Sequence, residues 1–252
     1  MADNIKKIED LSLNAWPSYQ MQVYDGWILR FSYFYTHRTN CAEQIGMSTL
    51  PVGEKIGYCE SVYRRWKTPC IFKITPISEP SLDSVLEERG YGIEHETIVM
   101  TREAGRPAPG IFSPLPDGYR IHLSGRVDRK WLSGLFTLKG GISAVHKRIV
   151  PAMYAAIPMD EIAVRVEDGE GTVGTGLGIL DRGTVGIYAI HVAERARRQG
   201  IASQIVSLIL NEAEKKGASD AYLQVVSDNA PAKTLYRKLG FTDSYRCYFR
   251  VK

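Results

Sequence analysis

Residues 103–118, EAGRPAPGIFSPLPDG, constrain this chain more than any other stretch, because they hold four of its twelve prolines and three glycines. Proline fixes φ and removes a backbone donor, so the segment joins neither a helix nor a central strand. It divides the sequence into a first unit over 1–103, a linker over 104–117 and a second unit over 118–252. The full 252 residues are long for one domain and comfortable for two. With 44% apolar and 24% charged residues, the chain matches the ordinary soluble mix, which excludes a disordered or collagen-like chain. The formal charge of +4 is too small to indicate a nucleic-acid partner and suits an anionic small ligand. No run of 18 apolar residues is present, so no membrane span is expected. The first residues, MADNIKKIEDLSLNAW, mix charges early and do not read as a signal peptide, so a cytoplasmic location is expected.

Cys41, Cys59, Cys70 and Cys247 form no CxxC pair, and reduced, buried thiols are expected. His37, His95, His122, His146 and His191 show neither HxxxH nor HExxH spacing, so no metal is expected from sequence.

The second unit has a legible order of elements. YRIHL alternates as a strand, and 127–138 and 143–154 read as helices. EIAVRV, TGLGILD and TVGIYAIHV read as strands separated by glycine turns. A helix follows from Gly200 to Lys216, with Ile201, Ile205, Leu208 and Ile209 on one face and Gly217 as its cap. Then come the strand AYLQVV, a helix over 230–238, a second cap at Gly240 and a last strand, SYRCYFRV. The layout is mixed α/β, an α+β mixed sheet with its late strands joined through helices. The first unit closes in the same order: helix, Gly90-Tyr91, strand, against helix, Gly240-Phe241, strand, 150 residues later. FKIT also matches LQVV one step earlier, which points to an internal duplication.

The chemistry concentrates in YAIHVAERARRQGIASQIV. A β-branched strand runs through Arg197-Arg198-Gln199-Gly200-Ile201-Ala202 into an amphipathic helix. The first amides of a helix have no intrahelical partner, and with the helix dipole they form an anion site. Arg197 and Arg198 add charge and forked donors. The alternative reading is a basic turn capping a surface helix. Neither a Walker loop nor GxGxxG is present at this position.

With the second cluster, Asn229, Ala232, Leu235, Tyr236, Gly240 and Phe241, the second unit resembles the GNAT superfamily of acyl-CoA-dependent N-acyltransferases. The superfamily's R/Q-x-x-G-x-G/A pattern is met from Arg197 to Ala202, and its N-x-x-A-x-x-L-Y-x-x-x-G-F pattern from Asn229 to Phe241. The resemblance covers about residues 118–252 and implies two GNAT-like units, of which the C-terminal one is complete. It implies acetyl-CoA as cosubstrate, no metal, and direct attack by a small-molecule or peptide amine. Transfer of a longer acyl group, or a non-catalytic CoA-binding sensor, are the alternatives; a second copy of the chain is left open as a partner. The resemblance makes Ile190, His191 and Val192 a splayed strand whose main chain holds pantetheine, with the Val192 amide polarising the thioester carbonyl. It places pyrophosphate on Arg197, Arg198, Gln199, Gly200, Ile201, Ala202 and Ser203, and the coenzyme arm near Asn229 and Ala232. Tyr236 matches the tyrosine proposed in the superfamily to protonate the departing thiolate. The alternative readings are a core aromatic before the cap for Tyr236 and a helix N-cap for Asn229.

Three positions depart from the pattern. Glu194 stands where many relatives carry Pro, Arg198 where they carry Gly, and Gln224 where some place a base-supplying Glu. A neutral amide takes no proton from an ammonium group, so the base is another group or a water chain, or the amine arrives neutral. His191 and Tyr188 are the nearby candidates, with a self-satisfied core histidine as the favoured reading of His191. The first unit lacks the coenzyme pattern and is expected to be a degenerate copy. Its aromatic residues (Trp16, Tyr19, Tyr24, Trp27, Phe31, Tyr33, Phe34, Tyr35) read as sheet core, with an acceptor-side wall as the alternative. Arg30, Arg38 and Glu60 are polar candidates in that unit that no pattern selects.

Overall fold

Ile5, Ile8, Leu11 and Ala15 recur three or four residues apart. In the computed structural model, which describes residues 2–103 and 115–252, they form the buried stripe of helix α1 (Ala2–Ala15). Strands β1 (Gln20–Tyr24) and β2 (Trp27–Phe31) follow as a hairpin turned by Asp25-Gly26. Both turn residues have positive φ, 41° and 75°, as a primed two-residue turn demands. Then come β3 (Ala42–Gln44), α2 (Val52–Arg65), β4 (Ile71–Ile74), α3 (Pro80–Glu88) and β5 (Gly92–Arg102). The second half supplies β6 (Arg120–Ser124), α4 (Arg129–Lys139), α5 (Ala144–Ala155), β7 (Asp160–Asp168), β8 (Gly171–Asp181) and β9 (Thr184–Val192). The last elements are α6 (Ile201–Lys215), β10 (Asp220–Val226), α7 (Ala230–Lys238) and β11 (Thr242–Val251). The fold is mixed α/β, as the sequence indicates. Residues 104–114, most of the expected linker, lie outside the described residues.

The chain forms two compact units that are discontinuous in sequence. Unit 1 comprises Met1–Ile98, Val145–Ala156 and Tyr245–Lys252; unit 2 comprises Val99–Ala144 and Ile157–Ser244. In unit 1 the strand order is β1-β2-β3-β4-β11: β3 runs parallel to β4, and β11 closes antiparallel on β4 from Tyr248↔Ile74 to Val251↔Ile71. Its core gathers Trp27, Leu29, Ile56, Phe72, Leu82 and Leu86. Trp16, Trp27 and Phe31 are buried, whereas Tyr19 and Tyr33 are exposed, so the aromatic-rich segment is core in part only. Arg30 is also structural: its buried guanidinium donates to the main-chain oxygens of Trp16 and Arg38. Glu60 accepts from the Tyr91 hydroxyl at 3.0 Å. A buried lysine, Lys73, lies between the carboxylates of Glu9 and Glu43, and the Tyr245 hydroxyl donates to Glu9 at 2.6 Å. This network ties α1, β3, β4 and β11 together, since each buried charge must be compensated by another.

In unit 2 the order β10-β9-β8-β7-β6 is antiparallel except for the parallel β9–β10 pair, and Val99–Arg102 of β5 adds a strand beside β10. Each unit is thus completed by the terminal strand of the other half of the sequence. Helix α6 packs on β8 through glycines. A Cβ at Gly174 would lie 2.8 Å from Ile201 Cγ2, one at Gly176 2.2 Å from Ile205 Cγ2, and one at Gly178 2.5 Å from Ile209 Cγ2. The GTGLG run therefore lets the isoleucine ridge of α6 settle directly onto the strand. All four cysteines are buried and free. Among the described residues, no helix is long and apolar enough to cross a membrane.

The packing sets a stability test. Gly176→Ala is expected to lower stability by about 1–3 kcal/mol by overpacking, read as a fall in the urea midpoint. Gly169→Ala, where a Cβ would meet nothing within 4 Å, should leave the midpoint nearly unchanged.

Candidate active site

The site grows out of a fault in one strand of unit 2. β8 and β9 pair from Asp181↔Thr184 to Leu177↔Tyr188, and the ladder resumes at Thr175↔His191. Ala189 and Ile190 therefore face the single residue Gly176, which is a β-bulge. Ala189 takes a φ of 51°, in the left-handed region, and its carbonyl accepts from the buried Thr175 hydroxyl at 3.1 Å. From α4, the buried Trp131 indole donates to the carbonyls of Val164 (2.9 Å) and Gly176 (3.2 Å), bracing β7 and β8 at the same level.

A bulge bends and twists its strand, and the bend falls where β9 and β10 part company. Their register runs from Asp220↔Thr184 to Leu223↔Ile187, while β9 continues to Val192 and β10 to Val226. Burial follows the pairing: Thr184–Ile187 are buried, and every residue from Tyr188 to Val192 is half-buried. Ala193 donates its N–H to Val173 at 2.8 Å. Val192, one residue earlier, consequently aims its N–H toward the opposite edge of β9, the edge facing β10. In open α/β sheets, ligands sit in just such a crevice outside the carboxyl ends of parallel strands.

The two helices that follow these strands start from the same edge. After a 3₁₀ turn at Glu194–Ala196, Arg197 is extended, and Arg198 and Gly200 are left-handed, with φ of 62° and 83°. The first intrahelical donor of α6 is Gln204, bonded to Gly200 at 2.9 Å, so the amides of Ile201, Ala202 and Ser203 have no carbonyl to meet within the helix. Gly200 owes its identity to its backbone conformation rather than to crowding, since a Cβ there would meet nothing within 4 Å. The Ile201 side chain is buried in the core, which leaves its main chain as the part facing the loop. Arg195 is tied to Asp168, with one contact at 3.1 Å, and that guanidinium holds the Asp168 carboxyl below its ordinary range. Arg197 pairs with Glu194 at 3.4 Å on the surface, while Arg198 has no ion pair among the described residues. Gln199 accepts from the Tyr119 hydroxyl at 2.7 Å. Open space over Gly200, three helix-start amides and an unpaired guanidinium fit a pyrophosphate at this loop.

At the end of β10, Asn229 caps α7, its side chain accepting from Ala232 N at 3.1 Å. Tyr236 lies seven residues further along α7, about 10 Å by helical rise. Its ring is buried, 6.2 Å from and edge-on to Phe241, and its hydroxyl makes no hydrogen bond among the described residues. Burial pushes its pKa up to about 12. Burial, and then the charge of Lys139, hold the His191 imidazole below its ordinary range, which favours its neutral form. The Tyr188 and Tyr222 hydroxyls bond to one another. Gln224 stands one residue beyond the last registered β9–β10 pair. Thr175, Gly176, Trp131 and Ala189, which make the bulge, carry no motif; the glycines of β8 were the only trace of it in the sequence.

A family model described as "Probable histone acetyltransferase Rv0428c C-terminal" matches residues 2–250. The chain is 27% identical over 252 residues to the "Uncharacterized N-acetyltransferase YobR" of Bacillus subtilis, covering 99% of each. It superposes on a GCN5-related N-acetyltransferase from Kribbella flavida with a TM-score of 0.71 at 16% identity, covering 100% of this chain and 95% of that one. A tandem GNAT protein from the clavulanic acid biosynthesis pathway matches with a TM-score of 0.65 at 11% identity, over 84% of this chain and 74% of that one.

The left-handed Arg198 occupies a position where many GNAT relatives carry glycine, and a side chain in that conformation costs about 1 kcal/mol. Arg198→Gly is expected to be more stable than Arg198→Ala by about 1 kcal/mol in urea denaturation, although both remove the same charge.

Proposed function

The chain belongs to the Rv0428c C-terminal family, within the GNAT superfamily of N-acetyltransferases, and we propose that its second unit moves the acetyl group of acetyl-CoA to an amine by direct attack. The observation that carries this reading is the end of β9–β10 pairing at Ile187, with the Val192 amide turned into the gap beyond it. Acetyl-CoA, when bound, supplies the activated acetyl group. Arg197, Arg198, Gln199, Gly200, Ile201, Ala202 and Ser203 hold its pyrophosphate through helix-start amides and the Arg198 guanidinium. Ile190 presents main chain along the open edge of β9, whereas by the same alternation the His191 main chain faces β8, and Asn229 and Ala232 bound the arm at the start of α7. The Val192 N–H donates to the oxygen on which negative charge grows.

Tyr236 gives its proton to the departing thiolate. A pKa of about 12 keeps the phenol protonated across the working range, so the acid form is always present. The neutral His191 takes the proton from the attacking amine, with Tyr188 as the second candidate. The acceptor is a small-molecule or peptide amine, and a longer acyl group in place of acetyl is an extension of the same chemistry. A CoA-binding sensor is the second reading, favoured by the neutral Gln224 at the position of a base-supplying carboxylate.

Thiol release from acetyl-CoA with a panel of amines separates the two: a sensor binds CoA and releases no thiol with any of them. Tyr236→Phe is expected to lower kcat by about 100-fold with little change in the KM for acetyl-CoA. In the wild type, loss of the tyrosine proton should produce no decline in kcat below about pH 11. Because the His191 pKa is lowered, its base form is gained as pH rises through a range below the ordinary imidazole value. The acid limb of kcat/KM should therefore lie below pH 6.5 and disappear in His191→Gln. Persistence of that limb in the variant would move the base role elsewhere.

A further inference from the structure

We propose that unit 1 contains a binding site for a divalent transition ion of the imidazole-preferring class, typified by Zn2+, formed by His37, Glu94 and His95. Nothing in the acyl-transfer reading uses these residues, and none of them belongs to a sequence motif. His37 sits in the 3₁₀ turn His37–Thr39, and Glu94 and His95 sit in β5. One ligand atom from each lies within 4.8 Å of the other two. His37 Nε2 is 3.4 Å from Glu94 Oε2, and His95 Nε2 is 3.9 Å from the same oxygen. The two imidazole centroids are 4.5 Å apart.

Consecutive residues of a regular strand point to opposite faces, so Glu94 and His95 should not converge on one point. They do so because His95 takes a φ of 52°, which breaks the alternation and returns its ring to the side of Glu94. His37 is the fixed member, with its ring packed against Phe249 (5.5 Å) and Phe34 (6.2 Å). Glu94 and His95 are exposed and have room to adjust.

The donor set selects the ion. Two imidazoles and one carboxylate suit zinc and its neighbours, whereas Ca2+ and Mg2+ take oxygen ligands throughout. Tetrahedral bonds of about 2.0–2.1 Å place ligand atoms about 3.3 Å apart. The His37–Glu94 spacing already matches that value, and a small rotation of the exposed His95 brings in the third ligand. Three protein ligands leave a fourth position for water. The bound ion would fasten the 3₁₀ turn to β5 and so stabilise unit 1 in proportion to its occupancy.

The test uses the full chain dialysed free of metal. Equilibrium dialysis against Zn2+ should find one high-affinity ion per chain, and Co2+ should give the visible absorption of a tetrahedral nitrogen–oxygen site. Saturating Zn2+ should raise the melting temperature by several degrees, about what a ligand held well above its Kd produces. His95→Asn keeps a residue tolerant of the left-handed backbone, so this variant folds, and it should bind Zn2+ about tenfold more weakly or worse. Glu94→Gln should weaken binding similarly. Failure to retain stoichiometric Zn2+ would overturn the proposal, as would wild-type affinity in both variants, which would place the ion on other ligands.

Discussion

The bulge at Ala189 and Ile190 opposite Gly176 is the feature on which the candidate active site depends. A parallel strand pair left intact would bury its main-chain groups in mutual hydrogen bonds. The extra residue in β9 bends the strand away from β10 after four registered pairs, so that Val192 aims its amide at a gap instead of at a neighbour. The bulge is itself held from three sides. Thr175 satisfies the Ala189 carbonyl, the Trp131 indole spans Val164 and Gly176, and α6 presses its isoleucines onto the β8 glycines. The opening is therefore braced by the core packing.

The same packing explains why the Arg197–Ser203 loop and the helix that carries Tyr236 start from one edge of the sheet. β9 and β10 are parallel, so their carboxyl ends coincide; β10 leads through a short turn into α7, and β9 leads through a 3₁₀ turn and a loop into α6. The α6 start contributes orphan amides, and the α7 start contributes Asn229 and, two turns later, Tyr236. Helix dipoles and unpaired N–H groups then favour an anion at that edge with little help from net charge. The arginines divide accordingly: Arg195 braces the β7–β8 turn through Asp168, Arg197 pairs locally with Glu194, and Arg198 makes no ion pair among the described residues.

Much of unit 2 was legible because its signals are local. Glycines at 217 and 240 end helices, β-branched runs form strands, and the isoleucine spacing of α6 produces an amphipathic helix, all within a few residues of where the structure puts them. The two GNAT patterns could likewise be seen in the linear chain, because a strand-to-helix loop and a capped helix are each built from neighbours. Arg198 is instructive here. The sequence showed only that it departs from a glycine pattern, and its φ of 62° supplies the reason that glycine is usual there. The early strands of unit 1 were less legible, since they are short and their aromatic residues divide between core and surface.

Sequence alone determined the kind of protein this is: an α/β chain with an arginine- and glycine-bearing turn at a helix start, a capped second helix and a tyrosine seven residues beyond the cap. It also carried the echo between the two halves, Gly90-Tyr91 and Gly240-Phe241. Only the tertiary structure decided which strand completes which unit, with Tyr245–Lys252 closing unit 1 and Val99–Arg102 entering unit 2. Only it revealed the bulge, and only it brought His37 within reach of Glu94 and His95, residues that no spacing rule connects. The physical reason is the same in each case. Helix caps, turns and amphipathic faces are set by residues a few positions apart, whereas strand pairing and side-chain convergence are contacts across the chain.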